Sequence, residues 1–399
     1  MKLRTYSEAD VKGKRVLVRA DLNVPTKDGR VADSTRIVES LPNILKLHSW
    51  GARIAVISHL GRPKDGPDPA YSMGPVAAEM ERLLKEKRVG IKSVSYVRNA
   101  MGKDVERAMA GEWRGDIVLL ENSRFYPGET KNDPEFSREL AKPFQAFVND
   151  AFGTAHRAHA TTVGVTAFLP SFAGPLIVKE VDALCRVTEK PARPLVIITG
   201  GKKVSDKLPL LEHLCGRAEV VLVGGAMVFT LARAMGYATG GSLVEEDYVE
   251  QCKTLIANYQ DSTTKLILPE DITVTDSIEN PARIENKALN ALGDGDIGVD
   301  IGEMARRAFT ARLSRAATVF WNGPMGVFEK KPFDAGTIAV AKAIAANNAA
   351  YSIVGGGESV EAVNKLGYAG GISHISTGGG ASLEFVAGMD LPGITALKA

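Results

Sequence analysis

Residues 354–361 read VGGGESVE, and residues 377–384 read TGGGASLE. Each follows a short apolar run, at 353–354 and 374–376, and each continues into helix-like apolar spacing. Strand, glycine turn and helix in succession are the units of a parallel sheet with crossover helices. A triple glycine at such a junction also exposes backbone N–H groups beside the positive end of a helix, a favourable place for phosphate.

The same pattern recurs on either side of this pair. β-Branched runs stand at 195–198, 220–223, 266–268 and 318–321, and in the first part of the chain at 16–18, 54–57, 117–120 and 147–148. Segments 75–87, 180–189 and 337–346 have helix spacing. Wholly apolar strands alternating with helices indicate sheets covered on both faces, the α/β class. Two such series predict two doubly wound parallel-sheet domains, with 179–190, ending at Pro191, as the helical connector.

The chain has 399 residues, enough for two or three domains, and its charges nearly cancel at +2. That balance argues against a nucleic-acid partner. A composition 45% hydrophobic and 24% charged is that of a globular protein, and no apolar run approaches a membrane span. The start lacks an apolar signal core. Three scattered cysteines, Cys185, Cys215 and Cys252, give no disulfide frame or metal cluster and fit a cytoplasmic location. The parts differ in character. Residues 1–190 carry a net +6 and 14 glycines, residues 191–399 a net −4 and 26 glycines. A basic site for a small anion in one part and a backbone-lined site in the other would produce that contrast.

Ligands of open α/β sheets lie beyond the carboxyl ends of the strands. In the first part those ends deliver Asp21 and Asn23, His59 and Arg62, Asn122 and Arg124, then Asp150, His156 and Arg157, with Arg36 shortly after the first strand. Arginine presents a planar fork matched to phosphate and carboxylate oxygens, so the implied ligand is small and multiply negative. His159 is expected to pack or hydrogen-bond, and His48 and His213 read as structural. In the second part the strand ends carry Gly200-Gly201-Lys202-Lys203 with Lys207, Gly224-Gly225, Asn322-Gly323-Pro324 and the two triple glycines. Such ends suit a polyphosphate. No G-x-x-x-x-G-K-[ST], H-E-x-x-H or G-x-S-x-G motif occurs. The G-x-G-x-x-G of residues 293–298 has no clear strand before it and carries two aspartates, so it reads as a loop.

A small-anion site and a nucleotide-phosphate site together suggest phosphoryl transfer, which works by positioning and charge stabilisation. No general base is evident. An acceptor that is already an anion needs none, which favours acyl-phosphate chemistry.

At this point the residues match a known family. Residues 16–25 (VLVRADLNVP), 58–64 (SHLGRPK), 120–126 (LENSRFY), 148–159 (VNDAFGTAHRAH), 200–207 (GGKKVSDK), 321–329 (WNGPMGVFE), 354–359 (VGGGES) and 376–385 (STGGGASLEF) are ordered and spaced as in phosphoglycerate kinases. The chain resembles that family over essentially its whole length. The resemblance implies two Rossmann-like domains joined by a helix and hinge: a triose domain at 1–175, a connecting helix at 176–190, a nucleotide domain at 191–388, and a tail at 389–399 that returns to the first domain. It implies reversible transfer between 1,3-bisphosphoglycerate and MgADP, giving 3-phosphoglycerate and MgATP, by a monomer without nucleic-acid or membrane partners.

Carried over by motif, the resemblance implies that Asp21, Leu22, Asn23, Arg36, His59, Leu60, Gly61, Arg62, Arg124, His156 and Arg157 hold the triose. Gly200, Gly201, Gly224, Gly225, Gly298, Pro324 and Val327 would surround the adenosine, and Glu329 the ribose. Lys203, Lys207, Asn322, Gly356, Gly357, Glu358 and Ser359 would meet the phosphates, with Glu358 approaching the nucleotide's Mg2+. Arg36 and Lys203, with N–H groups near Gly357 and Gly379, would stabilise the transferring group. Two departures stand out. Lys202 occupies a place the family fills with a small residue, and Glu358 one it fills with Asp. Lys202 is expected to be a tolerated neighbour of Lys203. Intact Arg36, Lys203 and Lys207 argue against a non-catalytic nucleotide binder.

Overall fold

The computed structural model describes residues 1–64, 66–87, 91, 93–112 and 115–399. Two compact units emerge, Met1–Asp182 with Asp390–Ala399, and Ala183–Met389. The boundary falls inside the helix Pro175–Thr188, which starts four residues before the segment read from spacing, 179–190, and one before the connecting helix the resemblance implies, 176–190.

The first unit contains β1 (Arg15–Arg19), β2 (Thr26–Lys27), β3 (Arg30–Val31), β4 (Arg53–Ile57), β5 (Val94–Val97), β6 (Ile117–Leu120), β7 (Ala146–Asn149) and β8 (Ser171–Ala173). Six of them form one parallel sheet in the order β5-β6-β4-β1-β7-β8, while β2 and β3 pair as a small hairpin. Side chains of a strand alternate between faces, and the core divides accordingly. Val16, Val18, Ile54, Val56, Ile117 and Leu119 pack on one face with the helices Thr35–Ser49 and Gly74–Glu86. Leu17, Ala55, Ile57, Val118, Leu120 and Phe147 pack on the other with Lys103–Ala110 and Pro134–Ala141. The last of these helices begins cleanly, because the Asp133 carboxylate accepts from Phe136 N at 2.8 Å and Pro134 opens the first turn. The C-terminal residues are pinned to this unit. Leu3 bridges Lys398, Arg4 N donates to Leu397 O at 2.9 Å, and Gly393 N donates to Ala155 O at 2.8 Å.

The second unit contains β9 (Leu195–Thr199), β10 (Val220–Val223), β11 (Lys265–Ile267), β12 (Asp271–Thr275), β13 (Ile284–Ala288), β14 (Ile297–Ile301), β15 (Thr318–Asn322), β16 (Tyr351–Gly355) and β17 (His374–Ile375). Its main sheet runs β11-β10-β9-β15-β16-β17, all parallel. Counted within that sheet the order is 3-2-1-4-5-6, that of dinucleotide-binding sheets. β9 and β15 are buried along their whole length. A smaller antiparallel sheet, β13-β12-β14, was not expected from the sequence. Residues 293–296 form a loop, separated from β13 by the turn Leu289–Ala291, while Ile297 and Gly298 already belong to β14, so the loop reading holds for the first four residues and not for the last two.

Glycine earns its place where the loops leaving β9 and β15 meet. Gly200 N donates to Asn322 O at 3.0 Å and Gly201 N to Pro324 O at 3.0 Å. Gly323 sits at φ +95°, and a Cβ there would run into the Gly200 carbonyl. Gly323→Ala is therefore expected to lower the unfolding free energy by about 2 kcal/mol or more. Gly295→Ala, which points into open space, should stay within about 0.5 kcal/mol of the parent. Urea denaturation of the two variants checks the difference.

Candidate active site

In the first unit the sheet reverses its winding at β1, and the loops leaving β1, β4, β6 and β7 carry the polar side chains. Asp21 Oδ2 accepts from Arg36 Nη1 at 2.8 Å, and Arg36 lies in the first turn of the helix Thr35–Ser49. Asn23 Oδ1 accepts from Gly61 N at 2.9 Å, and Gly61 O accepts from Arg124 Nη1 at 2.6 Å. Leu22 N donates to Ser58 Oγ at 2.9 Å, and Leu60 O accepts from Asn122 Nδ2 at 2.7 Å. Arg157 Nε donates to His156 Nε2 at 3.1 Å. Thus the first, second and third strand-end loops are tied together, with Gly61 joining Asn23 to Arg124. A cavity of about 500 Å³ is lined by Arg62, Arg124, Arg157, His159, Lys64 and Lys131 among others. Asp21, Leu22, Asn23, Arg36, His59, Leu60, Gly61 and His156 do not line it.

Charge dominates this edge. Burial, and then Arg157 and Arg19, push Arg124 down to about 10. Burial, and then Arg19, Arg124, Arg157 and Arg36, hold His59 well below the usual histidine range, so its ring is neutral. His156 is lowered by burial and by Arg157, and His159 falls to about 4 through burial and Arg124. Crowded guanidinium groups raise one another's energy until an anion arrives, which is the electrostatic signature of an anion site.

In the second unit the sheet reverses at β9, and a cavity of about 480 Å³ opens there. Of the residues expected around a nucleotide, Gly201, Gly225, Gly298, Pro324, Val327, Glu329 and Glu358 line it. Gly200, Lys203, Lys207, Gly224, Asn322, Gly356, Gly357, Ser359 and Gly379 do not. Lys202 does line it, whereas its neighbour Lys203 is exposed beside Glu245. Phe229, Leu243, Ile297 and Met325 supply an apolar wall that the sequence alone did not single out. Lys207 Nζ donates to Asn322 Oδ1, and Gly323 N donates to Ser359 Oγ at 2.6 Å. Gly356 and Gly379 cap the helices Gly357–Lys365 and Gly380–Val386 at φ +90° and +54°. Asp300, also on the cavity wall, accepts from Gly336 N at 2.6 Å and is pushed up to about 7 by burial. In the first unit, sequence reasoning passed over Arg19, a charge on a buried strand, which was the signal that could have marked it.

An arginine-rich edge on one doubly wound sheet and a glycine-lined cavity on another define an α/β phosphotransferase. The phosphoglycerate kinase family model matches residues 6–389. A phosphoglycerate kinase of Rubrobacter xylanophilus is 51% identical over 397 residues, covering 100% of this chain and 98% of its own. One from Thermus thermophilus is 48% identical, covering 99% of this chain and 100% of its own. Among solved structures, phosphoglycerate kinase from Coxiella burnetii aligns with a TM-score of 0.87 at 36% identity, covering 99% of this chain and 98% of that one. That from Pyrococcus horikoshii aligns at 0.83 and 32%, covering 97% and 96%. The chain belongs to the phosphoglycerate kinase family, and it is a kinase.

Lys207 gives a pH test. Burial lowers its ammonium from the usual 10.5 to about 8, against the opposing pull of Asp206 and Glu358. If Lys207 meets a nucleotide phosphate, as the family resemblance implies, binding requires the proton, so affinity for ADP should fall as pH rises through 8, with proton uptake on binding. Stability of the free protein moves the other way. The unfolded chain keeps the proton up to about 10.5 and the folded chain only up to about 8, so this group adds stability as pH rises between those values. Calorimetry in buffers of different ionisation enthalpy measures the uptake, and Lys207→Met should abolish it.

Proposed function

We propose that this enzyme transfers the acyl phosphate of 1,3-bisphosphoglycerate to ADP, reversibly, giving 3-phosphoglycerate and ATP. The observation that supports it most is the arginine edge of the first unit. Arg36, Arg124 and Arg157 act on a buried histidine held neutral, and Arg62 lines a cavity with Arg124 and Arg157, a setting for a small ligand with phosphate and carboxylate groups. In this reading residues 1–175 bind the triose, residues 191–388 bind the nucleotide, residues 176–190 are the connecting helix, and the tail at 389–399 serves the first domain. Asp21, Leu22, Asn23, Arg36, His59, Leu60, Gly61, Arg62, Arg124, His156 and Arg157 hold the triose. The cavity of the second unit holds the adenosine, and Lys207, Asn322 and the glycine-capped helix starts meet the phosphates.

The acceptor in the reverse direction is a carboxylate, so no general base is needed. The transfer is direct and in line, in a cleft that closes between the domains to exclude water. Arg36, Lys203 and the N–H groups near Gly357 and Gly379 stabilise the charge of the transferring group. Among the described residues no three His, Cys, Asp or Glu side chains converge into a metal cage. Magnesium fits such a donor set when it arrives on nucleotide oxygens, needing only one or two protein carboxylates. In this reading Glu358, in the first turn of its helix and on the cavity wall with Asp300 and Glu329, would meet it. When bound with the nucleotide it neutralises phosphate charge. The protein is expected to act as a cytoplasmic monomer.

A coupled assay for ATP formation from 1,3-bisphosphoglycerate and ADP tests the reaction; an inactive pure chain would overturn it. Arg36→Ala and Lys203→Ala should each lower kcat on the order of 10²–10³-fold. Lys202→Ala should leave kcat near the parent value and raise the KM for nucleotide, because Lys202 reaches the cavity. The reverse ordering of the two lysines in steady-state kinetics would refute these roles. Glu358→Gln should raise the magnesium concentration for half-maximal rate, and Glu358→Asp should preserve it. A Gln variant with unchanged magnesium dependence would reduce Glu358 to a helix-end acid.

A further inference from the structure

Arg19 ends β1 and is buried, with 1% of its surface exposed. Among the described residues its guanidinium makes no direct ion pair with a carboxylate. Nε donates to Thr161 Oγ1 at 2.9 Å, Nη1 donates to Ala20 O and to Ser58 Oγ at 3.3 Å, and Nη2 lies 3.0 Å from His59 Nδ1. The charge is compensated one step away. Thr161 Oγ1 donates to Glu129 Oε1 at 2.6 Å, and Glu129 is fully buried. Direction runs one way along this chain, because a guanidinium has donors only. The His59 nitrogen facing it must accept, so Nδ1 carries no proton. The neutral ring therefore carries its single proton on Nε2. His59 keeps 4% of its surface exposed, and the charges of Arg124, Arg157 and Arg36 at the strand edge act on its ring.

We propose that Arg19 is a positioning residue that holds His59 as the Nε2–H tautomer, making it a neutral hydrogen-bond donor for an anionic oxygen of the triose. The proposal rests on the triose-binding reading for the identity of that oxygen, though not for the tautomer. Two consequences follow from the geometry. His59 cannot serve as a base, since Nδ1 is occupied and Nε2 has no free lone pair. It also gives its hydrogen bond without adding a fifth cation to Arg19, Arg36, Arg124 and Arg157, the groups that, after burial itself, keep its ring neutral. Polarisation by the guanidinium strengthens the Nε2–H donor, as in any hydrogen-bond chain of one direction.

The direct test is two-bond proton–nitrogen correlation spectroscopy on the full chain with ¹⁵N-labelled histidine and no ligand. His59 should show a protonated Nε2 and an unprotonated Nδ1, unchanged from pH 5.5 to 8.5. A protonated Nδ1, or both nitrogens protonated, overturns the proposal. Arg19→Lys should give a mixture of tautomers and raise the KM for 3-phosphoglycerate ~tenfold, with the nucleotide KM unmoved, the cost of one hydrogen bond to a charged group. Should that variant fail to fold, the parent spectrum still decides, as does a pair at the histidine itself. His59→Gln places an amide donor near the Nε2 position and should keep the triose KM within a few fold. His59→Asn places its amide near Nδ1 and should lose at least ~tenfold. Equal losses in both overturn the donor role. A parent chain with the expected spectrum but no kinase activity would instead overturn the functional reading and leave the tautomer standing.

Discussion

Each main sheet reverses its winding at its first strand, and the chemistry follows from that reversal. β1 is flanked by β4 and β7, and β9 by β10 and β15. Right-handed crossovers then send the next helices to opposite faces, so the loops leaving the central strands diverge and open a crevice at the carboxyl edge. The strands themselves are free to be apolar because helices cover both faces. Polar residues are thereby confined to the edge. In the second unit the crevice is kept narrow at its floor by backbone contact, Gly200 against Asn322 and Gly201 against Pro324. Side chains there would push the two loops apart.

In the proposed reading the two edges would hold phosphate in different ways. The first unit uses charge, and the charges are only partly matched. Asp21 pairs with Arg36 at 2.8 Å, and Glu129 compensates Arg19 through Thr161, while Arg62, Arg124 and Arg157 face the cavity. The second unit uses backbone N–H groups at helix starts and few cations, with Lys207 held low by burial. A buried lysine lowered to about 8 and crowded arginines have the same meaning. In the proposed reading each site would be completed by an anion, which would relieve the electrostatic cost of these buried cations.

Burial of a polar group at these edges has a consistent purpose. Ser58, Asn122, Glu129 and Asp300 are all nearly inaccessible, and each holds loop or helix backbone by hydrogen bonds or carries a buried link to one. Asp150 belongs with them. It accepts from Leu176 N at 2.7 Å and Asn43 Nδ2 at 2.8 Å, and burial pushes it up to about 6. These groups fix where strand ends lie to within a hydrogen bond, which is the accuracy phosphate recognition requires.

The sequence by itself determined the central strands. Runs at 117–120 and 220–223 coincide with β6 and β10, because a strand buried on both faces must be apolar throughout. It also exposed the glycine-capped turns and the family, whose motifs are contiguous. It did not show β5 or β8, which are short edge strands of mixed polarity, nor β13, IENKA, which is almost wholly exposed and lacks an apolar face. Those strands form because a neighbour offers free backbone groups, and that neighbour is known only after folding. The same holds for the site. Arg36, His59 and Arg124 could be read from their places after strands, but the hydrogen bond from Arg19 to His59, 40 positions along the chain, and the approach of Lys202 rather than Lys203 to the cavity of the second unit could not. Residue type and local period are carried by the chain one turn at a time, whereas the tautomer of a ring and the reach of a lysine depend on atoms that tertiary packing alone brings within three ångströms.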